Sequence, residues 1–420
     1  MLRVSYMGAC RDMVGLSGVR PAYAEAFRCI GPACEDSCCV GWSVYFDEAT
    51  WEKYRQLPPG QLRALIDASV VPLDADARTP GWFARVAMDA DKRCPFLNTQ
   101  QLCQIQVEHG AEFLSATCAT YPRIRHVIDG VEERSLSLSC PEAARLVLLA
   151  PELLGDPSPE ADGDEDDESG PMLRHFWAIR GFVLELLTNR QYAIWQRLFL
   201  LGLFTRRMDM LARGQLDRRF GAVLCDFRAA VASGALRASM ETIPADLPLQ
   251  LEMVLRLASL QLTRSHVGPR FQDVARAFSQ GIGHEAGSTM SGLVARYREA
   301  HERYYARFFA ERSAMLENLL VNWVFRSLLP FGHKAGRLIA EPEMAHQFAL
   351  LASQFALFKG LLIGVAGYHG EAFSAEHVVW VVQAASKHFE HHPQFLEEAN
   401  RALVDGKLDN VRGLTMLVRN

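Results

Sequence analysis

Apolar residues recur at three- and four-residue spacing through most of the second half of the chain, and this period predicts helices over 172–187, 192–212, 216–233, 249–262, 271–279, 293–329, 344–368, 375–389 and 394–404. Gly, Pro and Asp separate these segments, and no fixed-period repeat runs through them, so they are expected to form a bundle rather than a solenoid. The first 150 residues read differently. Short helices are predicted over 48–57, with Asp47 as its N-cap, and over 61–68. A strand is expected over 82–88. Residues 105–114 are compatible with a helix interrupted at Gly110, and residues 126–138 with a hairpin turning at Asp129-Gly130. A last helix is expected over 142–150. The segment 344–368 is apolar enough to raise the question of a membrane span, but His346, Gln347, Gln354 and Lys359 interrupt it, and it reads as a buried core helix.

Between the two halves, residues 151–171 carry nine acidic side chains, four prolines and no basic residue, the composition of a solvated linker. The fold class expected is therefore mainly α: a small Cys-rich α+β metal-binding domain over 21–150, then a larger all-α domain over 172–420. Residues 1–20 read as a leader, and they lack the continuous apolar stretch of a secretory signal. The formal net charge is −5, and no basic block calls for nucleic acid. A soluble cytoplasmic protein is the simplest expectation.

Eight of the ten cysteines fall between positions 29 and 140: Cys29, Cys34, Cys38, Cys39, Cys94, Cys103, Cys118 and Cys140. In a reducing compartment such clustering points to a metal or catalytic site rather than to disulfides. Cys29-x₄-Cys34 and Cys34-x₃-Cys38 could be zinc knuckles, but the later cysteines are single and widely spaced. Cys94-Pro95 and Cys140-Pro141 fit the habit of iron–sulfur ligands, which favours a cluster over zinc. Eight thiols exceed the four that one cubane needs, so a second metal binds or some thiols only support the ligands. The bland alternative is that they are buried small hydrophobes.

Three other motifs carry less. The C-x₃-C-x₂-C pattern of radical enzymes fails because its third position is Gly41. Gly281-Ile282-Gly283 does not follow a buried strand, as a nucleotide loop would. His388, His391 and His392 have metal-like spacing, but beside Pro393 at a helix end they read as capping or surface groups.

Phe27-Arg28-Cys29, Cys34-Glu35-Asp36-Ser37-Cys38-Cys39 with Gly41-Trp42, Cys94-Pro95-Phe96-Leu97, Leu102-Cys103, Cys118-x-x-Tyr121-Pro122-Arg123 and Leu136-Ser137-Leu138-Ser139-Cys140-Pro141-Glu142 together resemble the flagellin lysine N-methylase family. The N-terminal part is also similar to a wider group of zinc- or iron-chelating proteins with a Cys-Cys doublet. Glu317-Asn318-Leu319-Leu320 and Leu329-Pro330-Phe331 add a less specific likeness. The resemblance implies methyl transfer from S-adenosylmethionine to lysine ε-amines of flagellin, in an enzyme carrying a [4Fe–4S] cluster. Such chemistry needs a neutral amine and a group that tolerates the sulfonium of the donor. Asp36, Asp47 and Tyr121 are candidates by position, Asp36 and Asp47 also having structural readings as a turn former and an N-cap. Arg123 is a candidate partner for a donor carboxylate or for the charge of a thiolate cluster. The rival readings are a zinc-stabilised binding module without catalysis and an iron–sulfur redox protein.

Overall fold

The computed structural model describes residues 19–21, 23–41, 43–157, 175–211, 216–262, 267–334, 336–339, 342–390 and 393–419. The leader up to residue 18 with Cys10, most of the acidic linker, and His391 and His392 lie outside them.

The protein is mainly α, built round one helix, Met344–His369. Its apolar residues run round the whole circumference, so it has no face suited to water, and it lies in the centre of the large core. Helices Ile194–Leu211, Leu247–Leu262, Pro269–Gly281, Met290–Ala300, Ala375–Phe389, Pro393–Asp405 and Val411–Val418 pack around it. Among the described residues this is the helix that is long and apolar enough to cross a membrane, and 89% of its most apolar window is covered by the rest of the chain. Its Lys359 donates to the carbonyl of Val418 at the end of the C-terminal helix (2.6 Å). The crossing with Pro269–Gly281 is close enough that a Cβ at Gly281 would fall 1.8 Å from the Gly364 carbonyl oxygen, so a glycine is required there.

The predicted helices lie where the periodicity put them, with one correction. The segment 293–329 is not a single helix: it divides into Met290–Ala300, a π-turn at His301–Tyr305, Ala306–Ala310 and, after a turn at 311–313, Ala314–Ser327. Apolar spacing survives a π-turn and a tight corner, so periodicity cannot see either. Two short helices, Arg237–Glu241 and Val411–Val418, were not expected from the pattern.

In the first part of the chain, Asp47 caps Glu48–Arg55 by accepting from the Thr50 amide (2.7 Å). Strand Ala84–Val86 lies between Tyr45–Phe46 and Val70–Pro72 in a three-stranded antiparallel sheet. The hairpin is Arg123–Ile128 with Val131–Leu136, and Asp129 (φ 50°) and Gly130 (φ 72°) both adopt the left-handed conformation that a two-residue turn demands.

Two hydrophobic cores result, and they do not divide at residue 151. The smaller is built from Val44, Phe46, Tyr54, Leu62, Ile66, Val70, Ala84, Val86, Phe96 and Ile105. Tyr23, Phe27, the inner face of the hairpin (Ile128, Leu136, Leu138) and helix Pro141–Leu148 belong to the large helical core. The reason is area: Ala143, Ala144, Val147 and Leu148 form an apolar face too broad for the small core to cover. Composition also misplaced two short segments. Leu154–Pro157, inside the expected linker, pairs antiparallel with Val19–Pro21 at the end of the expected leader.

Candidate active site: a cysteine-lined cleft

Backbone pairing gathers the cysteines. The Val40–Arg93 bridge, with the Cys94 amide donating to the Cys39 carbonyl (2.8 Å) and Gly41 to Lys92 (2.9 Å), lays the doublet beside Cys94. Asn98 then accepts from the amides of Gln100 and Leu102 (both 2.9 Å), folding the chain back so that Leu97 pairs with Cys103. Ser115 caps the helix that carries Cys118. Cys103 and Cys140 each stand immediately before a helix, where the first backbone amides, Ile105 and Gln106 and Glu142 and Ala143 respectively, favour the thiolate against the opposing effect of burial.

Cys38 is the hub of this arrangement. Cys34, Cys39, Cys94, Cys103, Cys118 and Cys140 all lie within its electrostatic reach. Cys29 is exposed, and its sulfur accepts from the Gly31 amide (3.4 Å) at the rim. None of the eight forms a disulfide. The hydrogen bond with Cys39, followed by the nearby Lys387 ammonium, lowers Cys38 to about 7 against the effect of burial, while Cys39 is driven up. Burial pushes Cys94 and Cys140 up to about 12 and Cys118 to about 11. Without a compensating cation these remain neutral thiols at pH 7.

The thiols face a cleft of about 880 Å³ lined by Cys29, Cys34, Cys38, Cys39, Cys103 and Cys140 on one side and by Arg270, Phe271, Lys387 and His388 on the other. Cys94 and Cys118 sit behind this wall, against the small core. Among the described residues no three His, Cys, Asp or Glu side chains converge as donors to a single metal ion. The donor set nevertheless suits a larger thiolate-held group: seven free thiols lie within electrostatic reach centred on Cys38, and a four-iron cluster is gripped at its corners rather than at one point.

The other predicted site residues occupy distinct places. Asp36 lines the cleft but is gripped, its Oδ1 by Lys387 (2.7 Å) and its Oδ2 by Gln383 (2.8 Å). The Tyr121 hydroxyl meets Ser139 Oγ at 3.0 Å inside the cleft wall, and burial holds its phenol well above the usual range. Arg123 lies outside the lining; it donates to the Phe27 carbonyl (3.1 Å) and stacks over that ring. Asp47 serves as the N-cap described above. His388 stacks on Phe271 with ring centroids 4.4 Å apart. Sequence reasoning missed Arg270, Gln383 and Lys387, since nothing in a helical period marks a side chain that meets a loop 350 positions away.

Residues 180–417, more than half of the chain, match the FliB lysine N-methylase C-terminal domain. The chain belongs to the FliB lysine N-methylase family. This methylase is also similar to a lysine-N-methylase of Salmonella typhimurium, 24% identical over 375 residues that cover 85% of the chain and 87% of that protein. A lysine-N-methylase of Salmonella choleraesuis is 26% identical over 266 residues, 61% of the chain and 65% of that protein. The flagellar biosynthetic protein FliU of Salmonella muenchen is 32% identical over 142 residues, 34% of the chain and 83% of that protein. No solved structure matches. The methylase is thus a lysine N-methyltransferase, and the matched domain supplies the wall of the cleft that carries Arg270 and Lys387, with Gln383 buried behind it.

Proposed function

We propose that this methylase transfers a methyl group from S-adenosylmethionine to lysine ε-amines of flagellin in the cytoplasm, at the cysteine-lined cleft, with an iron–sulfur cluster held by thiolates from the set around Cys38. The observation that carries the reading is the cleft itself, where six of the clustered thiols and the family's helical domain face each other across about 880 Å³. When bound, a cluster supplies positive charge that turns buried neutral thiols into thiolates and offers iron as a site for polar groups of a donor.

The remaining work falls to the chain. Three carboxylates, Glu35, Asp36 and Asp91, and three cations, Arg93, Arg270 and Lys387, line the cleft, so a sulfonium would be met by a carboxylate beside it rather than by a net negative field. Burial works against ionisation of Glu35, but its backbone amide and the Arg145 guanidinium at 2.5 Å outweigh it and hold the carboxyl below its usual range. Tyr121, kept protonated by burial, can donate a hydrogen bond but cannot accept the proton of a lysine at neutral pH. A target lysine entering from solvent loses water against Phe27, Phe271 and Pro141, which favours its neutral, nucleophilic form.

The test is iron, sulfide and zinc analysis of protein purified without oxygen, followed by incubation with flagellin and donor and intact-mass measurement. Iron and sulfide in the protein and methyl increments on flagellin are expected, and Cys38→Ser should lose both metal and transfer. Stoichiometric zinc without colour and unmodified flagellin would overturn the reading in favour of a zinc-stabilised binding module.

A further inference from the structure

Gln383 is fully buried on helix Ala375–Phe389, and its amide has both ends in use. Its Nε2 donates to Asp36 Oδ2 (2.8 Å) and to the Ser139 carbonyl (2.9 Å), while its Oε1 accepts from Arg270 Nε (2.8 Å). One turn further along, Lys387 donates to Asp36 Oδ1 (2.7 Å) and to the Ser37 carbonyl (3.0 Å). Asp36 stands between Cys34 and Cys38, and its carbonyl accepts from the Cys34 thiol (3.3 Å). Ser139 immediately precedes Cys140. Just past the end of the same helix, Glu390 accepts from Ser137 (2.7 Å), whose hydroxyl meets that of Ser139.

We infer that Gln383, supported by Lys387, is a positioning residue that sets the Cys34–Cys39 loop and the Cys140 turn at their separation across the cleft. The inference rests on the proposed function for its catalytic meaning, though not for its geometry. Three features carry it. A single buried amide joins the Cys34–Cys39 loop to the Cys140 turn, so the helical domain sets their spacing together with the Arg145–Glu35 pair between the two segments. Both oxygens of Asp36 are engaged, which fixes the plane of its carboxylate and with it the turn between Cys34 and Cys38. The third bond, to Arg270, ties the same amide to the wall that faces the cysteines, so a change at Gln383 reaches a guanidinium that lines the cleft. A helix packed only for stability has no need of an amide that bridges two loops and an arginine in its interior, where each polar atom must be matched.

The test is hydrogen–deuterium exchange on the full-length metal-free protein, comparing the wild type with Gln383→Met, which keeps length and removes all three bonds. Exchange in the peptides spanning 34–41 and 137–141 is expected to rise about tenfold, while the central helix Met344–His369 stays protected. Where Gln383→Met fails to fold, Lys387→Gln is read in the same way and should loosen 34–41 alone. Iron bound after reconstitution should fall in step with the loosening, and kcat should drop with little change in KM for flagellin. Unchanged exchange in both loops, or an equal rise throughout the helical body, would overturn the inference. A protein that binds no iron and transfers no methyl, yet shows the selective loosening, would overturn the proposed function and leave the positioning role standing.

Discussion

The small core and the large one are held together by different means. The large core closes on a helix with no solvent face and buries complete ion pairs such as Glu317 with Arg197 (2.6 Å). The small core has ten buried side chains among the described residues, drawn from helices and strands of two to nine residues and, at Val44 and Phe96, from the loops between them. Its border is made of half-buried Cys94, Cys103 and Cys118. Apolar burial on that scale offsets little chain entropy, and a small core of this kind is normally supplemented by a metal or by docking to a larger body. Here the thiols stand where such a supplement would act, and Gln383, Lys387 and Arg145 dock the adjoining loops to the helical body. The cleft lies at the border between a region that is rigid by itself and one that needs help to be so.

The sharpest way to probe the difference is to strike the large core. Glu317→Ala leaves Arg197 buried and partly unpaired and also frees Arg190, so a loss of ~3–5 kcal/mol in urea unfolding is expected, with the transition still cooperative. Gly281→Ala forces the central crossing apart and should cost about 1–3 kcal/mol by the same measurement. Asp47→Ala removes a cap in the small region and should cost ~1 kcal/mol, seen as faster exchange over Glu48–Arg55 with global unfolding unmoved. An equal shift of the global transition would show that the two cores unfold as one unit and would break the comparison.

The gentlest probe is pH. Burial, and then the charge of Lys359, lowers His301 to about 4. Between that value and the ordinary histidine range the unfolded chain binds the proton that the folded chain refuses. Stability of the helical body should therefore fall as pH drops from about 6.5 toward 4, and His301→Gln should flatten the slope in urea titrations.

Particular residues show how much was legible. The motif Glu317-Asn318-Leu319-Leu320 was visible as a string, but its reason is spatial: Glu317 meets Arg190 and Arg197, Asn318 donates to the carbonyls of Val147 and Ala150, and both leucines are wholly buried. In Leu329-Pro330-Phe331 the Leu329 carbonyl accepts from Arg180 (3.2 Å), itself paired with Glu133 of the hairpin (3.0 Å). Asp129-Gly130 and Asp47 were readable because a turn and a cap are decided within four residues. The break at His301–Tyr305 was not, because the apolar period continues through it.

The sequence by itself determined the helical character, the caps and turns, the identity of the thiols and the family likeness, since each depends on local dihedral preference, on spacing along the chain or on residue identity. Only the tertiary structure decided that the hairpin and helix Pro141–Leu148 join the large core and that Cys38 is the centre of its neighbours. It also decided that the wall opposite the cysteines carries Arg270 and Lys387, with Gln383 buried behind it and bonded to Arg270 and Asp36. These are contacts between residues hundreds of positions apart, chosen by which apolar faces can cover one another, and no local pattern encodes that choice.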